Sequence, residues 1–303
     1  MTGARNLGAS VRARLLNKAR TESIDYNLVL TRFALERWLY RLSISRFREE
    51  FLLKGALLFD LWFDVPHRPT RDADLLGAGT ADIPRLITTF QELCAIDVED
   101  AIEFQPQSVR AEGIRKEGNY PGIRITLVGL LDGARCPVQV DIGFGDAVTP
   151  GPEVVHYPAM LEDMQGADLR AYPRYTVVSE KLEALVALGI VNSRMKDFFD
   201  LWILSRQSEF DGETLRTAVV ATFRRRSTPM PAAEPIGLSD EFAHDAGKQT
   251  QWRGFISKNA LGPIALSDVI SDLRVFLIPL VDAARGNTPF PQTWKSTDGW
   301  KKS

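Results

Sequence analysis

The spacing of apolar residues changes twice along this chain of 303 residues. Helical spacing in the first fifty residues gives way to period-two alternation between residues 100 and 145, and helical spacing returns after Pro150. Strands placed between helical segments predict an α+β protein whose mixed sheet comes mainly from the middle of the chain. We therefore predict a first domain at residues 1–150, a helical second domain at 151–285 and a tail at 286–303. Gly118–Asn119 and Asp132–Gly133 are predicted hairpin turns between strands of the first domain. A connector is predicted after Pro150 and a helix at 241–255, and Trp294 or Trp300 is a candidate to dock the tail.

The composition is that of an ordinary globular protein, with 45% hydrophobic residues, 25% charged residues and a formal charge of -2. Cys94 and Cys136 belong to no CxxC pattern, so we predict two buried, reduced thiols. Arginines occupy the place where a signal peptide needs apolar residues, and no run of about 18 apolar residues occurs. These features predict a cytoplasmic protein that makes no membrane contact and is a monomer by default.

Charge is distributed unevenly along the chain. Residues 1–50 carry ten Lys/Arg and five Asp/Glu, a net charge of +5, whereas residues 51–150 carry nine and fifteen, a net charge of -6. The basic segment is a candidate surface for RNA, although ordinary amphipathic helices give the same count. In a predicted helix at 24–42 we place the charged side chains on the polar face, namely Arg32, Glu36, Arg37 and Arg41.

Carboxylates mark the acidic middle of the chain. Asp72-Ala73-Asp74 begins a short segment typical of a buried strand, where residues i and i+2 share a face. Two anions on one face repel unless a cation lies between them, and Mg²⁺ prefers such oxygen ligands. Asp141, in the alternating segment VQVDIGFG, completes a triad if its strand lies beside the first. The alternative for the pair is a solvated turn or strand edge.

Two further segments carry candidate phosphate-binding residues. Lys54-Gly55-Ala56 opens an apolar helix, where backbone N–H groups favour a phosphate, although a simple turn explains the glycine equally well. Lys181 is flanked by residues that pack inward, so its ammonium is a candidate ligand for a triphosphate. Asp197 and Asp200 begin the next helix on roughly one face, where an acid also stabilises a helix N-terminus.

The segments LLKGALLFDLW, RPTRDADLLG, VQVDIGFGD, SEKLEAL and KDFFDL follow one another in this order. Together they resemble the AbiEii-type nucleotidyltransferase toxin family, which includes the mycobacterial MenT toxins. The resemblance extends from about residue 10 to residue 205. It implies a core similar to DNA polymerase β, with a mixed sheet and flanking helices, and a helical C-terminal domain that completes the active site.

The resemblance also implies roles for individual residues. Carboxylates of the DxD motif are implied to bind metal and to be catalytic, with the third carboxylate of the wider fold as a further metal ligand. The glycine motif and the threonine before the DxD are implied to bind the NTP. The lysine of the SEK motif is implied to bind the NTP phosphates and to be catalytic. The acid of the last motif is implied to be catalytic, with a structural partner downstream. Asp72 and Asp74 are the carboxylates of the DxD motif, and Asp141 is the third carboxylate. Lys54, Gly55 and Ala56 form the glycine motif, Thr70 is the threonine before the DxD, and Lys181 is the lysine of the SEK motif. Asp197 is the acid of the last motif, and Asp200 is its structural partner.

The implied activity is that of a toxin in a toxin–antitoxin system. It transfers nucleotides from an NTP, with Mg²⁺ or alternatively Mn²⁺, onto the 3′ acceptor end of tRNA, which blocks translation and arrests growth. Asp141 or Asp197 then accepts or orients the proton of the attacking hydroxyl. The partners implied for the protein are the NTP, tRNA and a cognate antitoxin. Two alternatives stay open at this point: an NTP-dependent transferase that modifies a Ser, Thr or Tyr hydroxyl of a protein, and a non-catalytic regulatory binding module.

Overall fold

The computed structural model describes residues 7–63, 70–116 and 120–302, so the turn predicted at Gly118–Asn119 lies outside the described residues. Contacts divide the chain into two compact units. The first unit comprises Met1–Gly145 and Glu153–Ala171, and the second comprises Asp146–Pro152 and Tyr172–Ser303. Residue 150, the domain boundary expected from sequence, lies in the short segment that the second unit contributes between the two parts of the first.

The first unit combines helices with one sheet. Its helices are α1 (Leu7–Thr21), α2 (Tyr26–Ile44), α3 (Leu57–Trp62) and α4 (Ile83–Cys94). Its strands are β1 (Phe51–Lys54), β2 (Asp72–Gly77), β3 (Ile102–Phe104), β4 (Arg110–Lys116), β5 (Tyr120–Leu131), β6 (Ala134–Phe144), β7 (Glu153–Tyr157) and β8 (Ala167–Ala171).

The strands form a mixed sheet in the order β3-β5-β6-β2-β1-β8-β7, and β4 pairs with the other part of the long strand β5. The pairs β2–β6 and β1–β8 are parallel, and the remaining pairs are antiparallel. A mixed sheet with flanking helices confirms the predicted α+β class. Strands β7 and β8 lie where the sequence predicted only a connector. Strand β1 also escaped prediction, because its four residues are all buried and show no alternation.

Alternation gives the central strands an apolar face and a polar face. The apolar face is formed by side chains that are almost completely buried, including Ala73, Leu75, Ile125, Val140 and Ile142. Helix α2 packs against β6 and β8, and its Trp38 ring stacks on Phe90 of α4 at a centroid distance of 4.8 Å. Removing these groups from water is the main force that holds the helices on the sheet. Cys94 and Cys136 are both buried and unpaired, as predicted.

Four charged side chains are buried together, three on α2 and the fourth at Asp100. Arg41 donates two hydrogen bonds to the carboxylate of Asp100, at 2.7 and 3.0 Å. Glu36 and Arg37 lie beside this pair, 3.2 Å apart, and burial raises the pKa of Glu36 to about 7 although Arg37 lowers it. Placing Glu36, Arg37 and Arg41 on an exposed polar face was therefore wrong. Oppositely charged side chains lie beside each of these buried groups, and helical spacing alone does not reveal such partners.

The second unit is mainly helical. Its helices are α5 (Arg174–Leu188), α6 (Met195–Gln207), α7 (Gly212–Arg225), α8 (Asp240–His244), α9 (Ala246–Lys258) and α10 (Leu266–Arg285), and its strands are β9 (Phe210–Asp211), β10 (Gln292–Lys295) and β11 (Gly299–Lys302). The single helix predicted at 241–255 is wrong, because Asp245 ends α8 and its side chain caps α9. None of the described helices is both long and apolar enough to cross a membrane.

The C-terminal segment is folded onto the second unit. Strands β10 and β11 form a hairpin, and β10 also pairs with β9. The indole N–H of Trp294 donates to the carbonyl of Ser205 at 2.7 Å, and that of Trp300 donates to the carbonyl of Phe276 at 2.8 Å. Both tryptophans therefore hold this segment, whereas the sequence interpretation considered docking by one or the other. Its strand pairing had no sequence signal, because the segment shows no period-two alternation.

The Asp100→Asn variant tests the buried charge cluster. It leaves the Arg41 guanidinium buried without its counterion, so we expect the free energy of unfolding to fall by about 3–5 kcal/mol. The control is Glu92→Gln, which breaks the exposed pair between Arg46 and Glu92 and should cost less than about 1 kcal/mol. Urea unfolding followed by circular dichroism measures both. Equal losses in the two variants would contradict this account of the cluster.

Candidate active site

A row of charged residues crosses the polar face of the central sheet. Lys54 on β1 is the register partner of Asp74 on β2, Asp74 is the partner of Asp141 on β6, and Asp141 is the partner of Arg124 on β5. Register partners on adjacent strands share a face of the sheet. The row therefore holds two carboxylates at its centre and one cation at each end. The strand of Asp141 does lie beside the strand of Asp72 and Asp74, which is the condition set for a triad.

Asp72 and Asp74 are two residues apart on β2, so both belong to the polar face. The buried hydroxyl of Thr70 donates to the Oδ1 atom of Asp72 at 2.7 Å and orients that carboxylate. Two oriented carboxylates on one face offer the oxygen ligands that Mg²⁺ prefers, so this donor set fits such an ion. Among the described residues, however, no three His, Cys, Asp or Glu side chains are arranged to hold one metal ion.

Gly55 allows Asp74 to approach the chain closely. Its φ of 76° lies in the left-handed region, and it follows β1 directly at the turn into α3. A Cβ atom added here would stand 2.8 Å from the Cβ of Asp74 and would overlap the Asp74 carboxylate. The following helix begins at Leu57, after Ala56, and has only six residues. The geometry therefore requires glycine at this position for the placement of Asp74.

Arg124 is a site residue that the sequence interpretation missed. Its Nε donates to Oδ1 of Asp141 at 2.8 Å, and its Nη2 donates to Oδ2 at 2.9 Å. The hydrogen bond to Asp141 raises the pKa of Arg124 against the effect of desolvation, and attraction to Asp141 and Asp72 adds to the increase. The predicted Asp132–Gly133 turn was an available signal. It joins β5 to β6, and both residues have positive φ, as a two-residue hairpin turn requires.

A second charged group lies within the helical unit. The ammonium of Lys181 on α5 contacts Oδ1 of Asp197 at 2.8 Å and Oδ2 of Asp200 at 2.7 Å, both on α6. Arg194 contacts the other oxygen of Asp197 at 2.6 Å. Burial alone would raise the pKa of Asp197, but Lys181 and Arg194 outweigh it and hold that pKa below its ordinary value. The sequence identified Lys181, Asp197 and Asp200, whereas Arg194 was not recognised as their partner.

The basic first segment of the chain is largely neutralised within the first unit. Arg14 on α1 pairs with Asp163 at 2.6 Å, Lys18 pairs with Glu22 at 2.6 Å, and Arg12 contacts Asp132 at 3.4 Å. Cations that face carboxylates attract a phosphate backbone less than free ones do. The net charge of +5 in residues 1–50 therefore overstates the positive charge that this segment presents.

The Gly55→Ala variant tests the close approach between the glycine turn and Asp74. Alanine would meet both an unfavourable left-handed conformation and the Asp74 side chain. The conformation alone costs about 1–2 kcal/mol, and overlap in a packed site adds about 1–3 kcal/mol. Gly79→Ala is the control, because Gly79 has a φ of 77° but nothing within 4 Å of an added Cβ. Equal losses in urea unfolding would show that Asp74 does not constrain Gly55.

Two solved structures from Helicobacter pylori are similar to this chain. JHP933 matches with a TM-score of 0.46 and 15% sequence identity, covering 84% of this chain and 90% of its own. A protein named as a candidate nucleotidyltransferase matches with a TM-score of 0.45 and 15% identity, covering 84% of this chain and 93% of its own. A comparison with curated proteins gives no match.

The family is shown by the sequence itself. Residues 37–278 match the family described as nucleotidyl transferase AbiEii toxin, type IV TA system. The matched region is well over half of the chain, and it contains the charged row, the glycine turn and the Lys181 group. The resemblance drawn from the motifs is thereby confirmed. The chain belongs to the AbiEii family of nucleotidyltransferase toxins of type IV toxin–antitoxin systems.

Proposed function

We propose that this enzyme uses Mg²⁺ to transfer nucleotides from an NTP onto the 3′ acceptor end of tRNA, and that this transfer arrests growth until a cognate antitoxin relieves it. The observation that carries the proposal is the pair Asp72 and Asp74, two carboxylates on one face of β2 beside the Gly55 turn. Family membership supplies the nucleotidyl transfer. The carboxylate pair supports the divalent ion, and the resemblance of the motifs supports the tRNA acceptor.

The residues around the pair hold it in place for ion binding. Thr70 fixes Asp72 through its hydroxyl, and the absence of a side chain at Gly55 makes room for Asp74. Lys54, buried at the end of β1 and in register with Asp74, adds a positive charge to the same face. A bound Mg²⁺ would neutralise charge on the triphosphate and make its α-phosphorus easier to attack. Preorganised charges of this kind act without rearranging during the reaction.

In the proposed reaction, the 3′ hydroxyl oxygen of the acceptor forms a bond to the α-phosphorus. The bond between the α-phosphorus and its bridging oxygen to the β-phosphorus breaks, pyrophosphate leaves, and the hydroxyl proton is released to solvent. Asp141 and Asp197 were the proton acceptors considered from sequence, and both carboxylates are engaged by cations in this structure. Transfer through a loose transition state depends mainly on positioning and charge neutralisation, so it asks little of a protein base.

Lys181 is proposed to contact the phosphates of the NTP, as the family resemblance implies. Its contacts with Asp197 and Asp200 support a second role, because the ammonium also holds α5 against α6. Such a lysine can exchange one carboxylate contact for a phosphate oxygen, since its three N–H donors rotate about a single bond. The two roles predict different consequences for binding and for stability.

A protein acceptor is the competing activity. Incubation with total RNA and with NTPs labelled at either the α- or the γ-phosphate separates the two. Label that enters RNA from the α-phosphate supports nucleotidyl transfer to RNA, whereas label in protein would contradict the proposed acceptor. Repeating the assay with purified tRNA and each of the four NTPs then identifies the nucleotide. A protein that transfers no label to any acceptor would fit a regulatory binding module instead.

The Asp74→Asn variant tests the carboxylate pair. Asparagine keeps the shape beside Gly55 but removes one charge, so we expect transfer to fall by at least about a hundredfold. The melting temperature should change little, because asparagine removes both the repulsion from Asp141 and the attraction to Lys54 on the neighbouring strands. Asp97→Asn, at an exposed carboxylate of the same unit, is the control and should transfer normally. Near wild-type transfer by Asp74→Asn would overturn the site assignment.

Lys181→Met and Lys181→Met/Asp200→Asn together separate the two roles of Lys181. The single variant removes the cation that two buried carboxylates share, so we expect it to lose about 3–5 kcal/mol of stability. The double variant removes one of these charges and should recover part of that loss in urea unfolding. If Lys181 binds phosphate, the folded double variant still transfers about a hundredfold more slowly. Recovery of transfer together with stability would limit Lys181 to a structural role.

A further inference from the structure

The third carboxylate of the polar face is already held by a cation. Both oxygens of Asp141 accept a hydrogen bond from Arg124, in the side-on geometry that uses Nε and Nη2. The Asp141 side chain is 10% exposed, and that of Arg124 is 34% exposed. Bidentate pairs between arginine and carboxylate are among the stronger hydrogen-bonded contacts in proteins. Asp141 is therefore paired with Arg124, whose side chain is more exposed than the buried carboxylate.

A divalent ion bound directly to Asp141 would compete with this arrangement. It would lie within a few ångströms of the Arg124 guanidinium, since both would be held by one carboxylate. Like charges at that spacing repel more strongly where water is excluded, and Asp141 is buried.

The polar face carries its own cations beside its carboxylates. Three carboxylates, Asp72, Asp74 and Asp141, share the face with the cations of Lys54 and Arg124. Together these five groups carry one net negative charge, so most of the carboxylate charge is already balanced without a second metal ion. Asp72 and Asp74 share one face of β2, whereas both oxygens of Asp141 accept hydrogen bonds from Arg124.

We propose that this site binds a single divalent ion through Asp72 and Asp74, and that Arg124 takes the place of a second ion by contacting phosphate oxygens of the nucleotide. Asp141 is then a positioning residue that aims the guanidinium, and not a metal ligand. A guanidinium has five N–H donors, so the pair with Asp141 leaves donors for a phosphate. Arginine suits this role because its planar fork matches phosphate geometry. The inference rests on the proposed function.

Metal stoichiometry tests the inference directly. Mn²⁺ is titrated into the full chain with a saturating α,β-methylene NTP analogue and no acceptor, and free Mn²⁺ is followed by electron paramagnetic resonance. We expect about one bound ion per chain in the wild type. Arg124→Gln frees Asp141 and removes the repulsion, so the stoichiometry should rise toward two. Arg124→Gln/Asp141→Asn removes the freed ligand and should return the value to one. Two ions bound by the wild type would make Asp141 a ligand and overturn the inference.

Nucleotide affinity tests the contact between Arg124 and phosphate. The dissociation constant of the same analogue, measured by calorimetry with one equivalent of Mn²⁺, should rise about tenfold in Arg124→Gln. Arg124→Lys keeps the charge but loses the bidentate geometry, so it should retain one Mn²⁺ and show an intermediate affinity. It also guards against a folding defect in the glutamine variant. Unchanged analogue affinity in both variants would remove Arg124 from the nucleotide site.

The outcomes separate this inference from the proposed function. Neither measurement needs tRNA or any transfer, so an enzyme with another acceptor can still bind one ion and gain a second in Arg124→Gln. That result would uphold the inference while the tRNA proposal fails. If Asp74→Asn leaves Mn²⁺ binding unchanged, the carboxylate pair is not the metal site, and both proposals fall together.

Discussion

The strand register across β1, β2, β6 and β5 is the constraint on which the active centre depends. It brings like and unlike charges into one row, with Asp74 and Asp141 side by side and a cation at each end. Adjacent carboxylates repel, so the arrangement is stable only with nearby positive charge. Arg124 supplies part of it by a bidentate contact, and Lys54 lies at the other end of the row. A shift of one residue in any of these strands would turn its charge toward the apolar face.

Buried charges also fix the positions of helices in each unit. In the first unit, Arg41 and Asp100 pair beneath α2, and in the second, Lys181 joins α5 to two carboxylates of α6. Neither group is an obvious source of net stability, because desolvation opposes the attraction between buried ions. These pairs favour one position for each helix, because displacing either helix would leave a buried charge without its partner. Lys181 and Arg194 hold the pKa of Asp197 below its ordinary value despite its burial, so its surroundings favour the ionised form.

The charged row of the sheet and the Lys181 group differ in the chemistry that they can support. The row on the sheet places carboxylates beside a glycine turn, and we propose it as the centre for the nucleotidyl transfer that the AbiEii family performs. The Lys181 group is bound on both carboxylates and lies almost wholly inside its unit. Its ammonium contacts two carboxylates, whereas Arg124 gives two of its five donors to Asp141.

The sequence by itself determined the α+β class, the family, the helices with clear apolar spacing and the carboxylates of the DxD motif. These follow from local periodicity and from residue order, which need no knowledge of distant contacts. It missed β1, because a short strand buried on both faces has no alternation, and it placed Arg37 and Arg41 in solvent. Apolar spacing assigns such residues to one face of a helix, but it cannot show whether that face packs against a buried counterion. Only the tertiary structure decided that Asp141 pairs with Arg124 and that Lys181 pairs with Asp197 and Asp200. These partners lie 16 to 19 residues apart, and the exact strand register and helix packing that bring them together depend on the whole core.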